Sequence, residues 1–170
     1  MVDSTQIEVS AKVPARRVGT LLLLLFFVFS AQAQYTPSLT AWSKTENTLR
    51  KTYGLDLQKT ALPSHPNYYS LTLADSLIGY LCLEQAPSKH DVFEFLVIYT
   101  PELNINKVQI LIYRESYGFE IKSKRWLQQF STRSRKEVQA ISGATISVGA
   151  LKHAITKLNK RMMAWQEAQR

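Results

Sequence analysis

Ser142, Gly143, Ala144 and Thr145, with Ser147 two positions further on, are the residues of this chain best placed to do chemistry. From Val148 onward Leu151, Ile155, Leu158, Met162 and Trp165 recur at steps of three and four, so the spacing predicts a long amphipathic helix starting at that cluster. A helix start presents backbone N–H groups without intrahelical acceptors and the positive end of the helix dipole. Together these hold an anion, a phosphate above all, without a dedicated cation. Gly143 and Ala144 add little bulk, so a ligand can approach the backbone closely. A hydroxyl at Thr145 is then positioned to contact a phosphate or to be esterified by it. The same residues have an ordinary use as well, because Ser and Thr near a helix start commonly act as caps. Spacing alone leaves both uses open.

Other reactive side chains divide in the same way. Glu115, followed by Tyr117 and Gly118, stands where a strand runs into a loop; its carboxylate can bond a ligand or pair with an Arg. Trp126 and Phe130 are one helical turn apart, a spacing that suits a core and equally places an aromatic ring beside a flat ligand. Lys122, Lys124, Arg125, Arg133, Arg135 and Lys136 form a basic run, which is either a solvated face, a docking surface for an acidic redox partner or a shield for a bound phosphate. The single cysteine, Cys82, alternates with strand neighbours and reads as a half-buried thiol without chemistry; alone, it excludes an intramolecular disulfide, a CxxC pair and a cysteine zinc cluster. The three histidines, His65, His90 and His153, show no metal-ligand spacing, so no metal is expected.

The elements that position these groups follow from periodicity. A first helix is predicted over residues 40–53, with Gly54 as its C-cap. Residues 61–67, with Pro63 and Pro66, read as a turn. Strands follow from Tyr69 by alternation, and over 76–84, 92–100 and 107–114 by β-branched and aromatic content, joined by the polar loops 86–91 and 101–106. Short loops between consecutive strands favour an antiparallel meander. The fold class is therefore α+β: an antiparallel sheet packed with helices, ending in the long amphipathic helix.

Length and charge set the setting. One hundred and seventy residues make one domain, and 45% apolar residues make it globular. The apolar run 18–30, preceded by Lys12, Arg16 and Arg17 and followed by Ala31, Gln32 and Ala33, reads as a signal peptide over 1–33, with the domain over 34–170. The alternative is a retained anchor, which would leave the protein membrane-associated; the run is short for a span. Export to the periplasm is expected. Lys and Arg number 21 against 13 Asp and Glu, a formal +8, and an exported basic protein meets anionic partners other than nucleic acid.

The segment VQAISGATIS, residues 138–147, resembles the flavinylation motif of the FMN-binding domain family, which includes the G subunit of the Rnf electron-transport complex and the C subunit of the sodium-translocating NADH:quinone oxidoreductase. The resemblance implies FMN joined by a phosphoester to Thr145, attached by a dedicated flavin transferase, with Ser142, Gly143, Ala144 and Ser147 beside it. A second block, LIYRESYGFEIKSKRWLQQF over 111–130, is similar to the family segment in which a Glu begins a glycine-containing loop near the flavin; it implies Glu115, Tyr117, Gly118 and Trp126 as cofactor-binding residues. ESYG departs from the ETPG form of the respiratory subunits and matches smaller stand-alone members. The resemblance covers most of 66–158, strongly in these two blocks. Gln139 stands where the family usually has an Asp that helps the transferase recognise its target, and Ser147 where it prefers Thr. The function implied is an exported electron carrier, serving a redox partner protein or a membrane electron-transport complex. A periplasmic flavin-dependent reductase and a flavin-free binding or scaffold domain are the alternatives.

Overall fold

The structure is a computed structural model that describes residues 35–63, 65–132 and 138–170. The segment 1–33 read as a signal peptide, and Arg133, Arg135 and Lys136 of the basic run, lie outside the described residues.

Helix α1 (Leu39–Tyr53) starts where Ser38 Oγ accepts the Ala41 N–H at 3.2 Å, and it stops at Gly54, whose φ of +91° suits glycine. Five strands follow: β1 (Gln58–Leu62), β2 (His65–Leu73), β3 (Ser76–Pro87), β4 (Val92–Tyr99) and β5 (Ile105–Ile112). They pair in sequence order, every pair antiparallel, as the short connections require. A 3-10 turn (Phe119–Lys122) and two short helices, α2 (Lys124–Leu127) and α3 (Gln129–Thr132), lead to the terminal helix α4 (Thr145–Glu167). No helix among the described residues is long and apolar enough to cross a membrane. The α+β meander expected from the sequence is the fold.

Both faces of the sheet are covered. On one, Phe93, Phe95, Val97 and Tyr99 of β4 pack with Trp126, Phe130 and the buried stripe Val148, Leu151, Ile155, Leu158 and Met162 of α4. Each of these helix side chains contributes roughly 2 kcal/mol by leaving water. On the other, Leu96 and Ile98 of β4 join Leu81, Leu83 and Leu111 under Ala41 and Leu49 of α1. Strand β4 is thus buried on both faces, which is why VFEFLVIY is a continuous apolar run without alternation. Cys82 is fully buried beside Met162, its sulfur 3.6 Å from the thioether, and burial pushes the thiol up.

The first hairpin differs from the expected turn over 61–67. Strand β1 was not expected: it is a short, mostly exposed edge whose residues QKTAL lack apolar alternation. Strand β2 already begins at His65 and contains Pro66. The register slips between Ala61, opposite Tyr69, and Leu62, opposite His65, so Pro66 falls in an irregularity where no ladder hydrogen bond is demanded of it.

Candidate functional site

Three segments distant in sequence converge at the start of α4. The first is the turn into the helix. Ala144 N–H donates to Ile141 O at 3.2 Å, closing a β-turn in which Gly143 takes the positive φ, +77°, that its position requires. Ala144 is the N-cap residue and no side chain caps the helix, nor does an acidic residue stand in the first turn. Ser142 and Thr145 are both exposed, so neither serves the ordinary capping role. The first helical bond is Val148 N–H to Ala144 O, 2.9 Å; the N–H groups of Thr145, Ile146 and Ser147 therefore have no carbonyl within the helix to bond.

The approach to this turn is braced. Trp126 Nε1 donates to Gln139 O at 2.9 Å, Gln129 Oε1 accepts from Gln139 N at 3.1 Å, and Lys152 Nζ donates to Val138 O at 2.6 Å. The indole that makes the first of these bonds is buried against Phe130, ring centroids 5.4 Å apart.

The second segment is the loop after β5. Gly118, at φ +73°, turns it against the helix start so closely that a Cβ there would lie 2.6 Å from Ala144 Cβ. Tyr113, from the end of that strand, bonds the buried Ser147 hydroxyl at 3.1 Å and meets the Phe93 and Phe119 rings edge-on. Tyr117 is 80% exposed.

The third is the turn between β3 and β4. Glu115 Oε1 accepts from the Ser88 hydroxyl, from His90 N at 2.7 Å and from Asp91 N at 3.3 Å. The Ser88 and His90 donors hold its carboxyl below the usual carboxylate range. Glu115 thereby fixes the turn that presents Lys89 and His90.

Between these walls lies a cavity of about 430 Å³. Of the nine residues singled out in the sequence, six line it: Thr145, Gly143, Ala144, Ser147, Glu115 and Tyr117. Gly118 abuts its wall through Ala144. Ser142 lies in the same turn outside the lining, and Trp126 is set back in the core, where it braces Gln139. Lys89, His90, Tyr113 and Ile146 complete the lining and were not singled out. Tyr113 immediately precedes the RESYG block and could have been found there; Lys89 and His90 lie in a polar loop with no local signal.

The chemistry of the lining fits FMN. Uncapped N–H groups and the helix dipole suit a phosphate, and the exposed Thr145 hydroxyl makes no hydrogen bond among the described residues. Tyr113, Tyr117, Ala144 and Ile146 give an apolar wall for a flat ring, and Lys89 supplies a cation.

Residues 89–160 match the model of the FMN-binding domain family. No curated protein matches the chain. The matched span contains every residue that lines the cavity, together with β4, β5 and most of α4, and leaves α1 and β1 to β3 outside. Over residues 89–160, and so over every residue that lines the cavity, the chain is similar to an FMN-binding domain.

Proposed function

We propose that this protein is an exported electron-transfer flavoprotein that carries FMN through a phosphoester to Thr145. The observation that carries the reading is the Thr145 hydroxyl itself: exposed, unpartnered among the described residues, at an uncapped helix start, and on the lining of the cavity. In the ester, Thr145 Oγ binds phosphorus and loses its proton. The phosphoryl group comes from a flavin dinucleotide, whose pyrophosphate bond breaks and releases a nucleoside monophosphate that takes up the proton, and a dedicated flavin transferase catalyses the transfer. The diester keeps about one negative charge, suited to the amides of Thr145, Ile146 and Ser147.

When bound, the flavin supplies the redox chemistry, and the protein sets its position and surroundings. Ala144 and Gly143 keep the backbone close to the phosphate. Tyr113, Tyr117 and Ile146 shield the ring from water, and Tyr113 also holds Ser147 in place. A covalent tether prevents loss of the cofactor outside the cytoplasm, where the signal-like segment 1–33 directs the chain. The electrons pass to or from a redox partner protein or a membrane electron-transport complex.

The test is intact-mass analysis of the chain co-expressed with a flavin transferase. We expect a gain equal to FMN less one water, carried on Thr145, yellow colour, and loss of both in Thr145→Ala. Cleavage after Ala33 is expected in the same spectrum. An unmodified wild-type chain beside an active transferase favours the flavin-free reading, for which Gln139, exposed and neutral, is the motive. An equal mass gain in Thr145→Ala refutes the attachment site.

A further inference from the structure

Among the described residues the sheet ends at β5, which pairs with β4 on one side and with no strand on the other. Residues 106–110, consecutive along or beside that strand, all line one cavity of about 410 Å³. Successive strand side chains point to opposite faces, so a cavity touching all five lies along the open edge rather than over either face. A second hollow, about 580 Å³, shares Asn106, Gln128 and Ser131 with the first and extends it to Trp126 and Gln139. Together they form one groove between the β5 edge and helices α2 and α3.

The groove is cationic. Lys107, Lys122, Lys124 and Arg125 line it, with no carboxylate among its described lining residues. None of the four takes part in an ion pair among the described residues. Burial and the neighbouring Lys124 both lower the pKa of Lys107, a mark of crowded positive charge that an anion relieves.

We propose that this groove docks an extended acidic segment of a partner protein, which adds to β5 as a further strand with its carboxylates toward Lys107, Lys122, Lys124 and Arg125. Main-chain pairing at an open edge gives affinity, and the cations give selectivity. A flat bilayer reaches the rim lysines but not the strand edge, so a polypeptide fits better than a lipid surface. The inference is independent of the flavin.

The experiment uses the full chain and a fluorescein-labelled Glu-Val-Glu-Val-Glu-Val-Glu peptide, followed by fluorescence anisotropy and amide hydrogen exchange. The expected result is binding that weakens with added salt and slows exchange over residues 105–112. Lys122→Glu with Lys124→Glu, both exposed positions, should weaken it at least about tenfold, while Thr145→Ala leaves it unchanged. The proposal is overturned by absence of binding, by equal binding of a Lys-Val peptide, by insensitivity to salt, or by binding without slowed exchange. It is likewise overturned if phosphatidylglycerol vesicles or oligothymidylate bind the groove in preference to the peptide.

Discussion

Gly118 and Gly143 form a matched pair on which the geometry of the candidate site can be tested. Both hold left-handed backbone, at φ +73° and +77°, which costs an L-residue about 1–2 kcal/mol. They differ in space. A Cβ on Gly118 would sit 2.6 Å from Ala144 Cβ and 3.2 Å from Ala144 Cα and the Tyr113 hydroxyl, whereas one on Gly143 meets nothing within 4 Å. Overpacking of this kind adds about 1–3 kcal/mol, so Gly118→Ala should cost roughly 2–5 kcal/mol and Gly143→Ala about 1–2. Gly149, inside α4 with ordinary helical backbone and open space around it, is the control: Gly149→Ala should stabilise by roughly 0.5–1 kcal/mol. Urea unfolding of the unmodified protein, followed by circular dichroism, gives all three values. Equal destabilisation by Gly118→Ala and Gly143→Ala would refute the close contact between the 115–118 loop and the helix start.

Two further outcomes test the supports of the site. Glu94 is buried and accepts from Tyr35 Oη at 2.8 Å, Ser38 N at 2.9 Å and Arg114 at 2.8 Å; burial pushes its carboxyl up, but these donors outweigh burial and leave it below the usual range. Because the folded value is the lower one, its contribution is complete above the unfolded value near about 4.3 and is lost as pH falls through the folded value. Glu94→Gln should therefore cost about 2 kcal/mol at neutral pH and flatten the acid limb of stability against pH; an unchanged limb contradicts this. Trp126→Phe keeps the ring in the core but removes the bond to Gln139 O, costing about 1 kcal/mol and slowing flavin loading in timed mass spectra. Wild-type loading by that variant shows that the brace does not matter to the site.

The parts of the fold legible in the sequence are those whose pattern is set by burial. The stripe from Val148 to Trp165 and the run VFEFLVIY announce α4 and β4 because one is buried on one face and the other on both. Strand β1 was not legible: an exposed edge needs no apolar alternation, and the prolines at 63 and 66 argue for a turn unless the register slip that accommodates Pro66 is known. The site was legible where it is local. The SGAT turn and the RESYG loop are short blocks, each with a glycine doing a job at positive φ. Lys89 and His90 were not, since only the pairing of β3 with β4 brings their turn to the end of β5.

Glu115 shows how far residue type can carry a role. In the sequence its carboxylate suits a ligand or an arginine equally. Among the described residues it has no arginine partner: Oε1 accepts from Ser88, His90 and Asp91, all on the turn between β3 and β4. Its neighbour Arg114 grips the same region from the other side, donating to Val92 O at 2.9 Å and to Glu94 at 2.8 Å. Two consecutive charged side chains just past the end of β5 thus clasp the turn and its following strand between them. Four residues beyond Arg114, Gly118 rests against Ala144, and Tyr113 just before it bonds Ser147. Residues 113–118 therefore tie Lys89 and His90 to Thr145, although more than fifty positions separate them. The same short block that carries the family resemblance is the one that locks the cavity walls to each other, which gives its residue types a mechanical reason alongside any contact with the flavin.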